Sequence, residues 1–204
     1  PKILFVEGGS QYDIYAMRSA GIDPATGKEI FIKKNGEYTF KYDENERVAV
    51  GNTNPILQGS WMNTVRYKGF SISLATSYTF GSDYYNSTLK NKVENIDLDY
   101  NVDRRVFTDR WKQPGDHTRF LGIGTSSSSS QYSERFVEKR NELYISSIQV
   151  MYDFAPKAIT RLGLRKLAIG FGLSDIAHIS TVKFERGTDY PYCRGINLIF
   201  RPTF

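Results

Sequence analysis

Arg104, Arg105, Arg110, Trp111, His117 and Arg119 fall within one short stretch, and together they could hold an oxygen-rich ligand. Guanidinium groups pair bidentately with carboxylates, and an indole face offers a stacking surface for a sugar ring or a cation. The same stretch could instead pack on a covering partner or fold into the mouth of a larger structure. Upstream, Asp97-x-Asp99-x-Asn101-x-Asp103 spaces side-chain oxygens like the start of a calcium loop. Val102 stands where such a loop needs glycine and Thr108 where it needs glutamate, so a solvated acidic loop is the better reading. His117 and His178 are the only histidines, and no Gly-x-Ser-x-Gly elbow accompanies them. Gly122-x-Gly124 lacks the third glycine of a dinucleotide site. Asn86-Ser87-Thr88 matches a glycosylation acceptor, which means nothing in a bacterial chain. Ligand contact without catalysis is the expectation, with no enzyme activity, no metal and no cofactor.

The 204 residues carry 27 basic and 22 acidic side chains, a net charge of +5 spread without long single-sign blocks, which argues against a nucleic-acid partner. Mean hydropathy is −0.44, yet there are 14 Tyr and 13 Phe. No run reaches the ~20 apolar residues of a membrane helix. Low hydropathy with many aromatics suits a membrane β-barrel, in which every second strand residue meets lipid. A soluble β-sandwich would give a similar composition. The single cysteine, Cys193, excludes an intrachain disulfide. The chain lacks an initiating Met and a signal peptide, so a mature form, a truncation and a fragment are all open.

Five segments alternate apolar and polar residues. In 61–67, Trp61, Val65 and Tyr67 oppose Met62, Thr64 and Arg66. In 70–80, Phe70, Ile72, Leu74, Tyr78 and Phe80 oppose Ser71, Ser73, Ala75, Ser77 and Thr79. Segment 144–154 sets Tyr144, Ile148, Val150, Tyr152 and Phe154 against Ser147, Gln149, Met151 and Asp153. Segment 166–174 sets Leu167, Ile169, Phe171 and Leu173 against Lys166, Ala168, Gly170, Gly172 and Ser174. Segment 195–204 sets Ile196, Leu198, Phe200 and Phe204 against Asn197, Arg201 and Thr203, with Ile199 the exception. The lengths suit the ~9–11 residues of a tilted membrane strand, and aromatic residues gather at segment ends as in an interfacial girdle. The second face is small rather than charged, which suits an enclosed lumen better than open water.

The predicted class is therefore all-β: a transmembrane antiparallel β-barrel with long extracellular loops. Residues 56–204 supply its strands, with long loops near 81–143 and 175–194, the first holding a flexible serine run, Ser126 to Ser130. Residues 1–55 form an extracellular loop region. Its Asn35-Gly36 pair predicts a β-hairpin with a type I′ turn. Closing a membrane barrel takes at least about eight strands, so either 1–55 hides more strands or the chain is the C-terminal piece of something larger.

Several phrases decide between these. Ala20-Gly21-Ile22-Asp23-Pro24-Ala25-Thr26-Gly27 precedes Asn35-Gly36-Glu37, and Val50-Gly51-Asn52-Thr53-Asn54-Pro55 follows. Tyr67-Lys68-Gly69-Phe70 runs into Tyr78-Thr79-Phe80-Gly81, then come Arg110-Trp111-Lys112-Gln113-Pro114-Gly115-Asp116-His117-Thr118 and Tyr190-Pro191-Tyr192 before a last strand ending in Phe. In this order the phrases resemble the C-terminal region of the SusC/RagA family of TonB-dependent outer-membrane transporters. The resemblance implies the last strands of a barrel of roughly 22 strands with a plugged lumen, in the outer membrane of a Gram-negative, Bacteroidetes-like bacterium. It implies import of glycans, peptides or other large nutrients with a SusD-like surface lipoprotein as lid. Energy would come from the TonB system through an N-terminal plug not in this chain. The remaining barrel strands, outer-membrane lipid and the barrel-assembly machinery complete the partners, the last reading Leu198, Phe200 and Phe204 as a barrel-closing C-terminal signal. Pro202 departs from the family's proline-free final run. Two other readings stay open: the same barrel as a structural scaffold without transport, and a small soluble β domain that binds a partner.

Overall fold

The computed structural model describes residues 4, 6–97, 99, 101–124, 131–160, 163–183 and 194–204. The serine run, Cys193 and the Tyr190-Pro191-Tyr192 phrase lie outside the described residues. First in the chain come β1 (Asp13–Ala16), β2 (Arg18–Ile22), β3 (Glu29–Ile32), β4 (Tyr38–Thr39) and β5 (Val48–Asn52). The long strands are β6 (Leu57–Tyr67), β7 (Phe70–Tyr85), β8 (Val137–Asp153), β9 (Lys166–Ser180) and β10 (Gly195–Thr203). Between them lie helices α1 (Ser87–Val93), α2 (Arg105–Thr108) and α3 (Pro156–Ile159). Two compact units result, one of residues 1–55, 82–139 and 183–187, the other of 56–81, 140–182 and 188–204.

In the second unit the long strands form one antiparallel sheet in the order β10-β9-β8-β7-β6. Neighbours in sequence are neighbours in space. β6 and β7 meet through Lys68 (φ 45°) and Gly69 (φ 87°), and Tyr67 pairs with Phe70. Positive φ at both central residues is the two-residue type I′ turn, whose twist matches that of the strands it joins. The register then fixes every face. Val65 lies opposite Ile72, Phe171 lies between Val150 and Leu198, and Ile169 lies between Tyr152 and Phe200. Phe70 and Tyr152 place their ring centroids 4.6 Å apart, which joins the apolar rows of both hairpins. On the opposite face stand Ser71, Ser73, Gln149, Gly170, Gly172 and Asn197, with the Thr64 and Ser73 hydroxyls 2.9 Å apart. The apolar row stays open: Leu198 is 84% exposed, Phe200 65% and Val65 61%. Since burying such a side chain is worth about 1.5–3 kcal/mol, a face this large calls for a non-aqueous neighbour. Above Ser147 a bulge shifts the β8–β9 register, and Asp175 takes φ 55° there.

The first unit is built from short pieces. β1 pairs with β5, and β2-β3-β4 form a separate three-stranded sheet. The strands hidden in 1–55 thus make their own small sheets and add nothing to the five-stranded one. The Asn35-Gly36 turn differs from its expected type. Gly36 has φ 89° while Asn35 keeps an ordinary negative φ, the Gly36 N–H donates to the Lys33 carbonyl at 3.0 Å, and the Lys33 N–H to the Glu37 carbonyl at 2.9 Å. This is a type I turn closed by a glycine bulge, one residue longer than type I′. The Asn35 side chain favours it by accepting the Glu37 N–H at 3.0 Å. The segment expected as one long loop near 81–143 also holds more structure: β7 runs on to Tyr85, α1 and α2 follow, and β8 starts at Val137. Ile14, Tyr85, Leu89, Val93, Phe120 and Phe136 form the unit's core.

Gly69→Ala tests the hairpin. A Cβ there would stand 2.9 Å from the Asp153 carbonyl oxygen, at a φ that disfavours side chains. We expect a loss of at least about 1–2 kcal/mol, read as a lower urea midpoint of the folded protein.

Candidate functional site

Asn86 starts α1 as its cap, its side-chain oxygen accepting the Leu89 N–H at 3.0 Å. Its amide nitrogen donates to Glu138 Oε2 at 3.3 Å and to the Lys183 carbonyl at 3.4 Å. At 1% exposure this asparagine joins three chain segments and is no accessible glycosylation acceptor. Leu89 and Val93, one helical turn apart, then point into the core.

Two sequence phrases lock together beside this helix. The Asp23 carboxylate accepts the Ala25 N–H at 3.1 Å and the Thr26 hydroxyl at 2.6 Å, and the Gly27 N–H closes the turn on the Asp23 carbonyl at 2.8 Å. The Trp111 indole N–H and the Gly115 N–H both donate to the Pro24 carbonyl at 2.9 Å. Gly27 (φ 68°) faces the indole so closely that a Cβ would lie 2.4 Å from Trp111 Cε3. Arg110 is 3% exposed and donates to the carbonyls of Leu121 at 2.7 Å, Gly122 at 2.8 Å and Val93 at 3.1 Å. Burial draws its pKa down, and nearby Glu94 opposes that shift. Arg110 and Trp111, expected at a ligand, are committed to holding this loop.

A buried ion cluster lies behind them. Arg135 Nη2 stands 2.7 Å from Glu29 Oε2, and Arg135 Nη1 stands 3.0 Å from Glu94 Oε1. All three side chains are at most 8% exposed. Glu94 also accepts the Leu121 N–H at 2.9 Å, Ser133 donates its hydroxyl to Glu29, and Lys90 reaches the Gln131 carbonyl. Burial alone would lower the Arg135 pKa; the hydrogen bond and charge of Glu29, with Glu94, raise it instead. Burial lowers that of Lys90, against the pull of Glu94 and Glu29.

In front opens a cleft of about 510 Å³, lined by Asn86, Leu89, Arg105, Thr108, Asp109, His117, Thr118, Arg119, Phe120, Glu138 and Lys183. The predicted residues divide here: Arg105 and His117 line it, exposed Arg104 lies outside that lining, and Arg110 and Trp111 are turned to the scaffold. Arg105 grips Asp103 bidentately, Nε to Oδ1 at 2.9 Å and Nη2 to Oδ2 at 2.7 Å, and this hydrogen-bonded pairing holds the Asp103 pKa well below the ordinary carboxylate range. Arg119 pairs with Glu138 at 2.6 Å. Asp97 accepts the Asp99 N–H at 3.0 Å, a local turn at the start of the acidic run. Guanidiniums already carrying carboxylates, above an apolar floor of Leu89 and Phe120, present paired donors and acceptors. Such a surface suits hydroxyls and amides better than a lone anion. Glu138 and Lys183 could not be foreseen, because they reach the cleft from the start of β8 and from beyond β9.

No family profile matches the sequence. Among curated proteins, TonB-dependent receptor P39 of Formosa agariphila is 26% identical over 169 residues, covering 80% of this chain and 16% of the receptor. The chain is similar to a TonB-dependent receptor. Among solved structures, the RagAB peptide importer in its open-open state matches with a TM-score of 0.67 at 16% identity, covering 83% of this chain and 19% of that one. The RagAB peptide transporter matches with a TM-score of 0.64 at 16% identity, with the same coverage. The chain shares the fold of part of these proteins and spans about a sixth to a fifth of their length. The resemblance read from the sequence phrases stands, and the proteins it points to are a receptor and an importer, not enzymes.

Arg135→Met leaves Glu29 and Glu94 buried without their cation; about 3–5 kcal/mol should be lost, seen as a lower melting temperature of the folded protein. For Asp103 the depressed folded pKa means the pair stabilises above the unfolded value of 3.8 and fades as pH falls through the folded value. The protection of the α2 amides relative to an unfolded chain at the same pH should therefore fall below about pH 4, while Asp103→Asn shows weak protection at every pH.

Proposed function

We propose that this chain is a section of a TonB-dependent outer-membrane transporter that imports peptides, glycans or other large polar nutrients. In this reading the five-stranded sheet is barrel wall, its apolar face against lipid and its small polar face toward the lumen. β6 and β10, the edges of the sheet, are completed by further strands of the same barrel, since lipid tolerates no unpaired strand edge. The loop-rich first unit belongs to the extracellular surface, where a SusD-like lipoprotein would cover the mouth. Transport would be driven by TonB through a plug outside this chain. Residues 56–204 then hold the last transmembrane strands, and Leu198, Phe200 and Phe204 present the closing signal to the assembly machinery; their exposures of 84%, 65% and 80% support that role.

One observation carries the reading: a register-locked apolar row across five hydrogen-bonded strands. A soluble binding domain would cover that row with a second layer. The likeness to a TonB-dependent receptor and to RagAB supports transport over a silent scaffold. The mechanism asks for no covalent chemistry here. Arg105, His117 and Arg119 would contact cargo in the cleft through hydrogen bonds, and Arg110 and Trp111 would position them.

Arginine substitutions on the two faces test it. Phe171→Arg, on the apolar face near mid-strand, should cost about 2–4 kcal/mol of membrane stability and lower the folded outer-membrane protein and nutrient uptake together. Asn197→Arg, on the opposite face, should leave assembly intact. Equal assembly of the two variants would contradict the wall reading.

A further inference from the structure

The short-turn end of the five-stranded sheet combines an aromatic band with exposed cations. Tyr67, Phe70 and Tyr152 stand on the apolar face, with ring centroids 4.6 Å apart for Phe70 and Tyr152, and Phe154 stacks edge-on to Tyr152 at 4.9 Å. Beyond this band lie Lys68 in the β6–β7 turn, Lys157 on α3, and Arg165 just before β9, all exposed. The backbone joins them into one rim: Asp153 donates to the Gly69 carbonyl, Phe154 to that of Leu167, and Arg165 to that of Thr203. Lys68 leans to the apolar side, its Nζ 5.1 Å from the Tyr67 ring centroid. Arg165 continues the parity of Leu167 and Ile169. None of the three has an ion-pair partner among the described residues. Asp153 is the one acid of this rim among the described residues, and its register partner Ala168 puts it on the other face. Arg66, Lys166 and Arg201 also fall on that other face, opposite Ser71, Thr203 and Ala168.

Aromatic rings settle at the boundary between hydrocarbon and head groups, so cations one step beyond them sit at head-group depth. We infer that Lys68, Lys157 and Arg165 form a contact for anionic phospholipid head groups, made to the lipid phosphate, at the short-turn rim of the barrel. The inference rests on the wall reading above and adds a lipid preference to it. Each cation near a membrane surface favours anionic lipid by about fivefold, and a rim of three selects strongly while staying sensitive to salt. An acidic protein surface docked on the same rim is the competing occupant.

The test uses the intact protein extracted from outer membranes and reconstituted in nanodiscs containing phosphatidylethanolamine with phosphatidylglycerol. Bound lipid is read by native mass spectrometry. The wild type should retain phosphatidylglycerol over phosphatidylethanolamine, and raised salt should weaken that preference. Lys68→Gln, Lys157→Gln and Arg165→Gln should each reduce it by about fivefold, and free inorganic phosphate should not compete. Arg66→Gln with Arg201→Gln, on the other face, should leave it unchanged. A preference indifferent to salt, equal losses from both variant sets, or no loss from the rim variants would overturn the inference. Charge-preserving Lys68→Arg and Lys157→Arg guard against misfolding, and a protein that holds no lipid at all would count against the wall reading itself.

Discussion

Antiparallel pairing leaves no freedom between neighbouring strands: once Tyr67 faces Phe70 across a two-residue turn, every later pair is placed. The Phe70 and Tyr152 rings join the apolar rows of β7 and β8, and between Ser147 and Asp153, below the bulge, an unbroken register carries the row from β8 through β9 to β10. A slip of one residue would move Phe171, Leu198 and Phe200 to the face that holds Gly172 and Asn197. Backbone hydrogen bonding thus decides which surface is oily, and the oily surface decides the environment in which the sheet can exist.

The first unit answers a different problem. Its strands β1 to β5 run two to five residues, its helices α1 and α2 seven and four, and six buried side chains make its core cluster. Order comes instead from polar groups that reach far along the chain: Arg135 to Glu29 and Glu94, Arg110 to three carbonyls, Trp111 to Pro24. Buried charge of this kind is a poor source of net stability but is costly to disturb. It keeps a loop-rich surface in one shape, and the cleft with Arg105, His117 and Arg119 is a product of that shape.

Much of the sheet could be read from the sequence because period two is a local signal. The rows of 70–80 and 166–174 alternate plainly, and Lys68-Gly69 is a short-range turn. The ends of β7 and β8 were less legible, since Gly81 to Tyr85 and Val137 to Leu143 carry polar residues that obey the paired backbone and not the pattern. Site residues fared unevenly for a related reason. Residue type announces what Arg110 and Trp111 are able to bind, whereas their actual partners are backbone carbonyls supplied by the fold. The Arg135 cluster spans 106 positions to Glu29, a separation that leaves no trace in composition or spacing. The resemblance to the SusC/RagA family was legible in phrases such as Asp23-Pro24-Ala25-Thr26-Gly27. In the folded chain those five residues form the turn on which the Trp111 ring rests.

The central claim is that alternate side chains of β6 to β10 touch acyl chains while their neighbours line an enclosed polar interior. Single cysteines, introduced at Ile169 and Leu198 on one face and at Ser73 and Asn197 on the other in a Cys193→Ser background, can carry an environment-sensitive fluorophore. In reconstituted membranes the account predicts that lipid-attached quenchers darken the first pair while water-soluble quenchers spare it, with the second pair reversed. Water-soluble quenching of both pairs alike, or protection of the first pair from both quenchers as in a dry protein interior, would contradict it.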